Sequence, residues 1–169
     1  MKIKNKLYSL ALLLIICAVH ALKSDTNQPI IIVADTAAFN HPQGLSIYQG
    51  HVKVTQGTSV LTGDKLITYT DKKNALKTLI ASGNPATYET QPDNKPILKT
   101  QGSTIKYAPN EHTIELLGAA HAEQATNKID GPHLVYNIVE QSLSSPLIQQ
   151  GRTRIVIMPQ TLMKPHEHA

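Results

Sequence analysis

Short runs of β-branched and alternating residues, cut by turn clusters roughly every ten residues, fill this chain and exclude a helical fold. Ile30-Ile31-Ile32-Val33 is a block that loses side-chain freedom in a helix and suits a pleated strand. His51 to Gln56, Lys65 to Tyr69 and Ser103 to Tyr107 alternate with period two. Between them stand His41-Pro42-Gln43-Gly44, Asp71 to Asn74, Gly83-Asn84-Pro85, Ala108-Pro109-Asn110 and Thr126-Asn127-Lys128, all rich in turn formers. The expected class is all-β, a sandwich or barrel of short strands.

A loose repeat overlies this pattern. Gly63, Gly102 and Gly131 are each followed three residues later by Leu or Ile, and a tyrosine (Tyr69, Tyr107, Tyr136) closes each run. Tyr107 and Tyr136 share a face with the aliphatic residue two positions earlier, whereas Tyr69 is displaced by one. Gly50, Gly83 and Gly118 stand ahead of the three runs. The spacing reads either as stacked supersecondary units or as chance in a meander of short strands.

The first residues carry a different message. Lys2, Lys4 and Lys6 precede an apolar run from Leu10 to Val19 that ends in Val19-His20-Ala21, the layout of a secretory signal peptide. The run is about half the ~20 apolar residues of a spanning helix. Ile16 before Cys17 does not suit a lipoprotein signal. Cleavage is expected after Ala21, with Ala18 as the other small-residue stop. Residues 1–21 are therefore assigned to the signal, 22–162 to one β domain, and 163–169 to a flexible tail.

Removing the signal changes the charge. The remaining 148 residues carry 13 Lys and Arg against 12 Asp and Glu, so the basic excess of the whole chain belongs to targeting. Nucleic acid is not an expected partner. The only cysteine, Cys17, lies in the signal, which excludes a disulfide framework in the secreted part.

No catalytic or metal-binding motif emerges, and neither an enzyme nor a cofactor is expected. His41, His51, His112, His121 and His133 are scattered, and His166-Glu167-His168 belongs to the polar tail. HExxH, a phosphate loop and GxSxG are absent. Asp64, Glu89, Glu115 and Asp130 have no spacing that implies a carboxylate pair. Bulky aromatics are scarce after the signal, only Phe39 and five tyrosines, so aliphatic, Thr and Ala side chains line the interior. The strands most continuous in sequence, Ile30 to Asp35 and Arg152 to Met158, sit near the two ends of the chain, and neither carries an internal proline. Such edges invite pairing with another chain.

Taken in order, Asn27 to Asp35, Tyr48 to Gly57, Gly63 to Leu66, Gly83 to Tyr88 and Leu117 to Ala120 resemble the OstA-like (LptA-type) family of periplasmic lipopolysaccharide-transport proteins. The resemblance runs from about Asn27 to Leu162. It implies a twisted, open β-jellyroll of two facing antiparallel sheets, built from stacked repeats. It also implies a periplasmic bridge in which jellyrolls join head to tail and shield lipopolysaccharide acyl chains. Carried onto this sequence, the lipid-facing interior is Ile30, Ile32, Leu66, Tyr88, Ile105, Tyr107, Leu134 and Tyr136. Edge-strand assembly falls on Ile30, Ile31, Ile32 and Val33 at one end and on Ile155, Val156, Ile157 and Met158 at the other. The implied partners are lipopolysaccharide (lipid A), an inner-membrane transport component at the N-terminal edge, an outer-membrane translocon at the C-terminal edge, and further copies of the chain. A membrane-anchored component of the same system and a secreted β-repeat protein without lipid are the alternative readings.

Overall fold

Alternation of apolar and polar residues gives each long strand one face for the core and one for water, and the computed structural model is built from six such strands. It describes residues 25–147 and 151–158; the signal segment and the tail lie outside them. The elements are β1 (Ile31–Val33), β2 (Thr36–Asn40), β3 (Leu45–Gln56), β4 (Ser59–Thr70), β5 (Leu76–Thr90), β6 (Leu98–Ala108), β7 (Thr113–Gln124), β8 (Asn127–Asn137), β9 (Ser142–Ser144) and β10 (Arg154–Val156). All pair antiparallel in one open sheet of order β1-β3-β4-β5-β6-β7-β8-β10. β2 pairs with the first half of β3, and β9 with the last part of β8.

Every long strand changes register near its middle, and the interruptions fall on one line. They lie between Gln49 and Val52, Thr62 and Lys65, Ser82 and Ala86, Gln101 and Thr104, and Leu117 and Ala120. Gly50, Gly63, Gly83, Gly102, Gly118 and Gly131 lie at or beside this line. β-Bulges bend a strand locally, and five such interruptions in a row fold the sheet along a crease. Two facing half-sheets of eight strand segments result, one ending in β1 and β10 and the other in β2 and β9. This is the open jellyroll expected from the sequence.

The glycine spacing therefore has a physical origin that the sequence left open. Gly83-Asn84-Pro85 is not a turn between strands, as its composition suggests, but the crease within β5, and its Asn84–Pro85 bond is cis. Gly50 shows why glycine is needed there. Its φ is +79°, and a Cβ would run into the Asp35 side chain. The outermost strands are shorter than their β-rich sequences suggest. Ile30 to Asp35 supplies only the three residues of β1, because the chain breaks at Ala34-Asp35 to cross the crease into β2. Arg152 to Met158 supplies only Arg154–Val156.

One apolar core fills the space between the half-sheets. Leu66, Ile105, Leu116 and Leu134 are fully buried, with Leu79 and Ile114 close behind. Thr68, Thr90 and Thr100 are the buried polar side chains among the described residues; Thr100 donates to the Tyr88 carbonyl at 2.9 Å, and Thr90 accepts from Ser59. Tyr69, displaced by one in the sequence repeat, points outward and is exposed, while Thr68 takes the inward position.

Candidate functional site

Because directly paired residues point to the same side of a sheet, the register fixes what lines the interior. Three transverse rows result. In the half-sheet of β1 and β10, Ile32, Val54, Leu61, Tyr88, Thr100, Ala122, Ile129 and Ile155 are successive partners. In the other half, one row runs Phe39, Ser46, Thr68, Leu79, Tyr107, Ile114, Tyr136, Leu143. The next runs Ala37, Tyr48, Leu66, Ala81, Ile105, Leu116, Leu134. Two of the three rows run from edge strand to edge strand, and none contains a charged side chain.

Seven of the eight residues assigned to the interior sit in these rows. Leu66, Tyr88, Ile105, Tyr107, Leu134 and Tyr136 are buried, and Ile32 is half-buried at the β1 edge. Ile30, just before β1, packs against the same core. The assignment omitted Phe39 and Leu143, which end one row at opposite edges. Leu143 lies in a polar three-residue strand that carries no alternation signal, and Phe39 follows two alanines. Val52 and Val54 were legible in their alternation and are also buried.

The centre of the interior is closely packed. The cavity between Val54, Leu61, Leu79, Tyr107 and Ile114 has a volume of about 30 Å³, close to one water's share of the liquid. Larger spaces flank it. One of about 210 Å³ opens between Thr58, Ser59 and the Gln91–Asn94 turn on one side and Tyr136, Ile138 and Gln141 on the other. Another of about 310 Å³ is walled by Leu98, Ala122, Ile129, Tyr136, Leu143, Ile155 and Ile157.

The side opposite the crease is fastened by polar contacts between the half-sheets. The Tyr107 hydroxyl donates to Gln56 Oε1, and Gln56 Nε2 donates to the carbonyls of Thr26 and Gln28. Lys95, in the turn between β5 and β6, donates to the Gln141 carbonyl at 3.0 Å. Burial pushes the phenols of Tyr88 and Tyr107 upward and that of Tyr136 up to about 12.

Asp25 lines the central cavity, whereas the charge pairs of the long strands lie on the outward face. Lys106 pairs with Glu115 at 2.9 Å, a hydrogen bond that raises the lysine's pKa. His121 meets Asp130 at 2.6 Å, and Asp130 lies 3.7 Å from Arg154 on β10. At the crease by the other edge, His51 meets Asp35 at 2.7 Å, and that hydrogen bond raises the imidazole pKa. Among the described residues no group of three or more His, Cys, Asp or Glu is placed to hold a metal ion, and no helix is long and apolar enough to cross a membrane.

The two terminal strands lie at opposite edges of the sheet. Among the described residues β1 pairs only with β3, and β10 only with β8. Ile31 and Val33 are exposed on the outward side of β1; Ile155, Ile157 and Met158 are exposed at the other edge.

Comparison with known proteins finds relatives of this chain by sequence and by fold. The family model described as "LptA/(LptD N-terminal domain) LPS transport protein" matches residues 31–142. The chain belongs to this family. Within it, the chain is 35% identical over 126 residues to the lipopolysaccharide export system protein LptH of Pseudomonas aeruginosa, covering 74% of this chain and 72% of that protein. It is 27% identical over 165 residues to LptA of Haemophilus influenzae, covering 96% of each. The crystal structure of the P. aeruginosa LptH, described as the LptA-homologous periplasmic component of a lipopolysaccharide transport device, superposes with a TM-score of 0.74 at 32% identity. That match covers 81% of this chain and all of the other. The family match begins at Ile31, the first residue of β1, and ends at Ser142, the first of β9, so it spans β1 to β8 and stops short of the rest of β9 and of β10.

Proposed function

We propose that this protein is a non-enzymatic periplasmic carrier that shields the acyl chains of lipopolysaccharide and passes the lipid from an inner-membrane transport component to an outer-membrane translocon. The observation that carries the reading is the pair of uncharged rows that cross the open sheet from edge to edge, in a chain of a lipopolysaccharide-transport family. Each methylene kept out of water is worth ~0.8 kcal/mol, so an acyl chain crosses an aqueous compartment at low cost only against such a surface. The packed centre means that lipid enters as the half-sheets part at the Tyr107–Gln56 side, acyl surface replacing core contacts. Ile30, Ile32, Leu66, Tyr88, Ile105, Tyr107, Leu134 and Tyr136 are the contacts.

Head-to-tail joining of copies accompanies this reading. Each half-sheet has eight antiparallel segments, so its first and last strands run in opposite directions. A copy stacked in the same orientation then sets β10 beside the next β1, and β9 beside the next β2, both antiparallel. The inward rows continue across the joint. In this reading, as the family resemblance implies, Ile30 to Val33 face the inner-membrane component in the first copy, and Ile155 to Met158 face the translocon in the last.

A photo-crosslinking residue at Ile32 or at Tyr107 tests the carrier. Both should trap lipopolysaccharide in cells, whereas the exposed turn residue Lys72 should not. Equal labelling at the three positions overturns the interior assignment.

A further inference from the structure

The two ends of the Phe39–Leu143 row differ in a way that matters for a joint between copies. Phe39 is 60% exposed, although it stands on the inward side of β2. It packs edge-on against Tyr48, with ring centroids 5.9 Å apart, and stacks on His41 at 6.4 Å. These contacts hold the phenyl group in place beyond the last paired strand. At the other end, Leu143 borders the cavity of about 310 Å³, roughly ten times the ~30 Å³ of a liquid water. One end projects an aromatic side chain, and the other leaves a recess whose apolar wall includes Leu98, Ile129, Tyr136, Leu143 and Ile155, with Gln124, Asn127, Lys128 and Gln141 completing its lining.

We infer that Phe39 of one copy seats in this recess of the next, as the anchor that gives the joint its direction. The inference rests on the head-to-tail reading above and names the residue that would carry it. Three observations converge on a second copy as occupant. First, β9 and the following β2 run antiparallel, so continuing the row in register places Phe39 directly after Leu143. Second, the same stacking sets Ile32 after Ile155 in the other half-sheet, so both rows stay in register at once. Third, neither Thr36–Asn40 nor Ser142–Ser144 carries a charged residue, the usual guard of an edge against pairing. The interface is heterologous: knob and recess lie at opposite ends of each copy, so successive additions extend a row instead of closing a dimer.

Sedimentation velocity of the secreted protein over a range of concentrations, together with cysteine cross-linking, tests this. The wild type should self-associate, and Phe39→Ala should weaken association about 30-fold, as truncation of an interface anchor does. Its circular dichroism should be unchanged, since Phe39 is largely exposed. Phe39→Cys mixed with Leu143→Cys should give a disulfide-linked pair under copper-phenanthroline oxidation, while each variant alone should give none. Wild-type association with unchanged strength in Phe39→Ala and no mixed cross-link overturns the anchor and leaves edge pairing standing. Cross-linking of Phe39→Cys to itself overturns it too, because the joint would then be symmetric. A wild type that stays monomeric at every concentration removes the head-to-tail reading and the anchor together.

Discussion

The Tyr107 hydroxyl lies 3.4 Å from Gln56 Oε1, and through this contact the end of β6 is tied to the end of β3 across the side opposite the crease. The same glutamine amide holds the carbonyls of Thr26 and Gln28, both at 3.1 Å. Tyr107→Phe removes one bond and should cost about 0.5–1.5 kcal/mol of unfolding free energy. Gln56→Ala removes three and should cost about 1–3 kcal/mol. The double variant should be less destabilised than the sum, since both changes break the same bond. Urea unfolding of the four proteins measures all three quantities.

Along the crease, backbone distances rank the glycines. A Cβ on Gly63 would lie 2.8 Å from the Ser82 carbonyl oxygen, a backbone atom that cannot step aside. On Gly131 the nearest atom, at 3.2 Å, is the hydroxyl oxygen of the exposed Thr153 side chain. Gly63→Ala should therefore destabilise by about 1–3 kcal/mol, and Gly131→Ala by no more than about 0.5 kcal/mol. Thermal melts monitored by circular dichroism compare them.

High pH should attack the core before the surface. The Tyr136 phenol is pushed up to about 12 by burial, against about 10 in an unfolded chain. Between those values the unfolded state has lost the proton that the folded state keeps. The stability this phenol contributes is thus whole below about pH 10 and falls as pH rises toward 12. Tyr88 and Tyr107, shifted the same way, add to the slope. Phenolate absorbance should rise together with loss of β signal, and Tyr136→Phe should flatten the dependence.

At the β1–β2 break, His51 should titrate above the usual histidine value, because its hydrogen bond to Asp35 favours the imidazolium. Asp35→Asn should bring it back toward about 6.5. A proton NMR titration of the imidazole ring reads both. An unchanged midpoint would mean that the pair does not form in solution.

The strands were legible because alternation and turn chemistry are local. Val52 and Val54, Ile105 and Tyr107, and Leu134 and Tyr136 each declare an inward face two residues at a time, and all six are buried. The crease was not legible in the same way. Gly83-Asn84-Pro85 has the composition of a turn, and only pairing of β5 with both neighbours makes it a bend inside a strand. The ends of the rows were missed for a related reason. Leu143 and Phe39 belong to strands held by one partner each, so their orientation is inherited from β8 and β3 and is not written in their own segments. The larger cavities depend on how side chains from several strands meet, which no single run encodes.

The crease also sets how such a sheet yields. Its ladders are already interrupted between Gln49 and Val52, Ser82 and Ala86, and Leu117 and Ala120, so swinging one half-sheet outward sacrifices no pairing there. The resistance comes instead from apolar contacts and a few side-chain hydrogen bonds at the far side, which another greasy surface can replace nearly one for one. A closed barrel would have to unzip a whole strand pair to admit the same guest. In the proposed carrier the lining gives way to the guest while the backbone framework is kept.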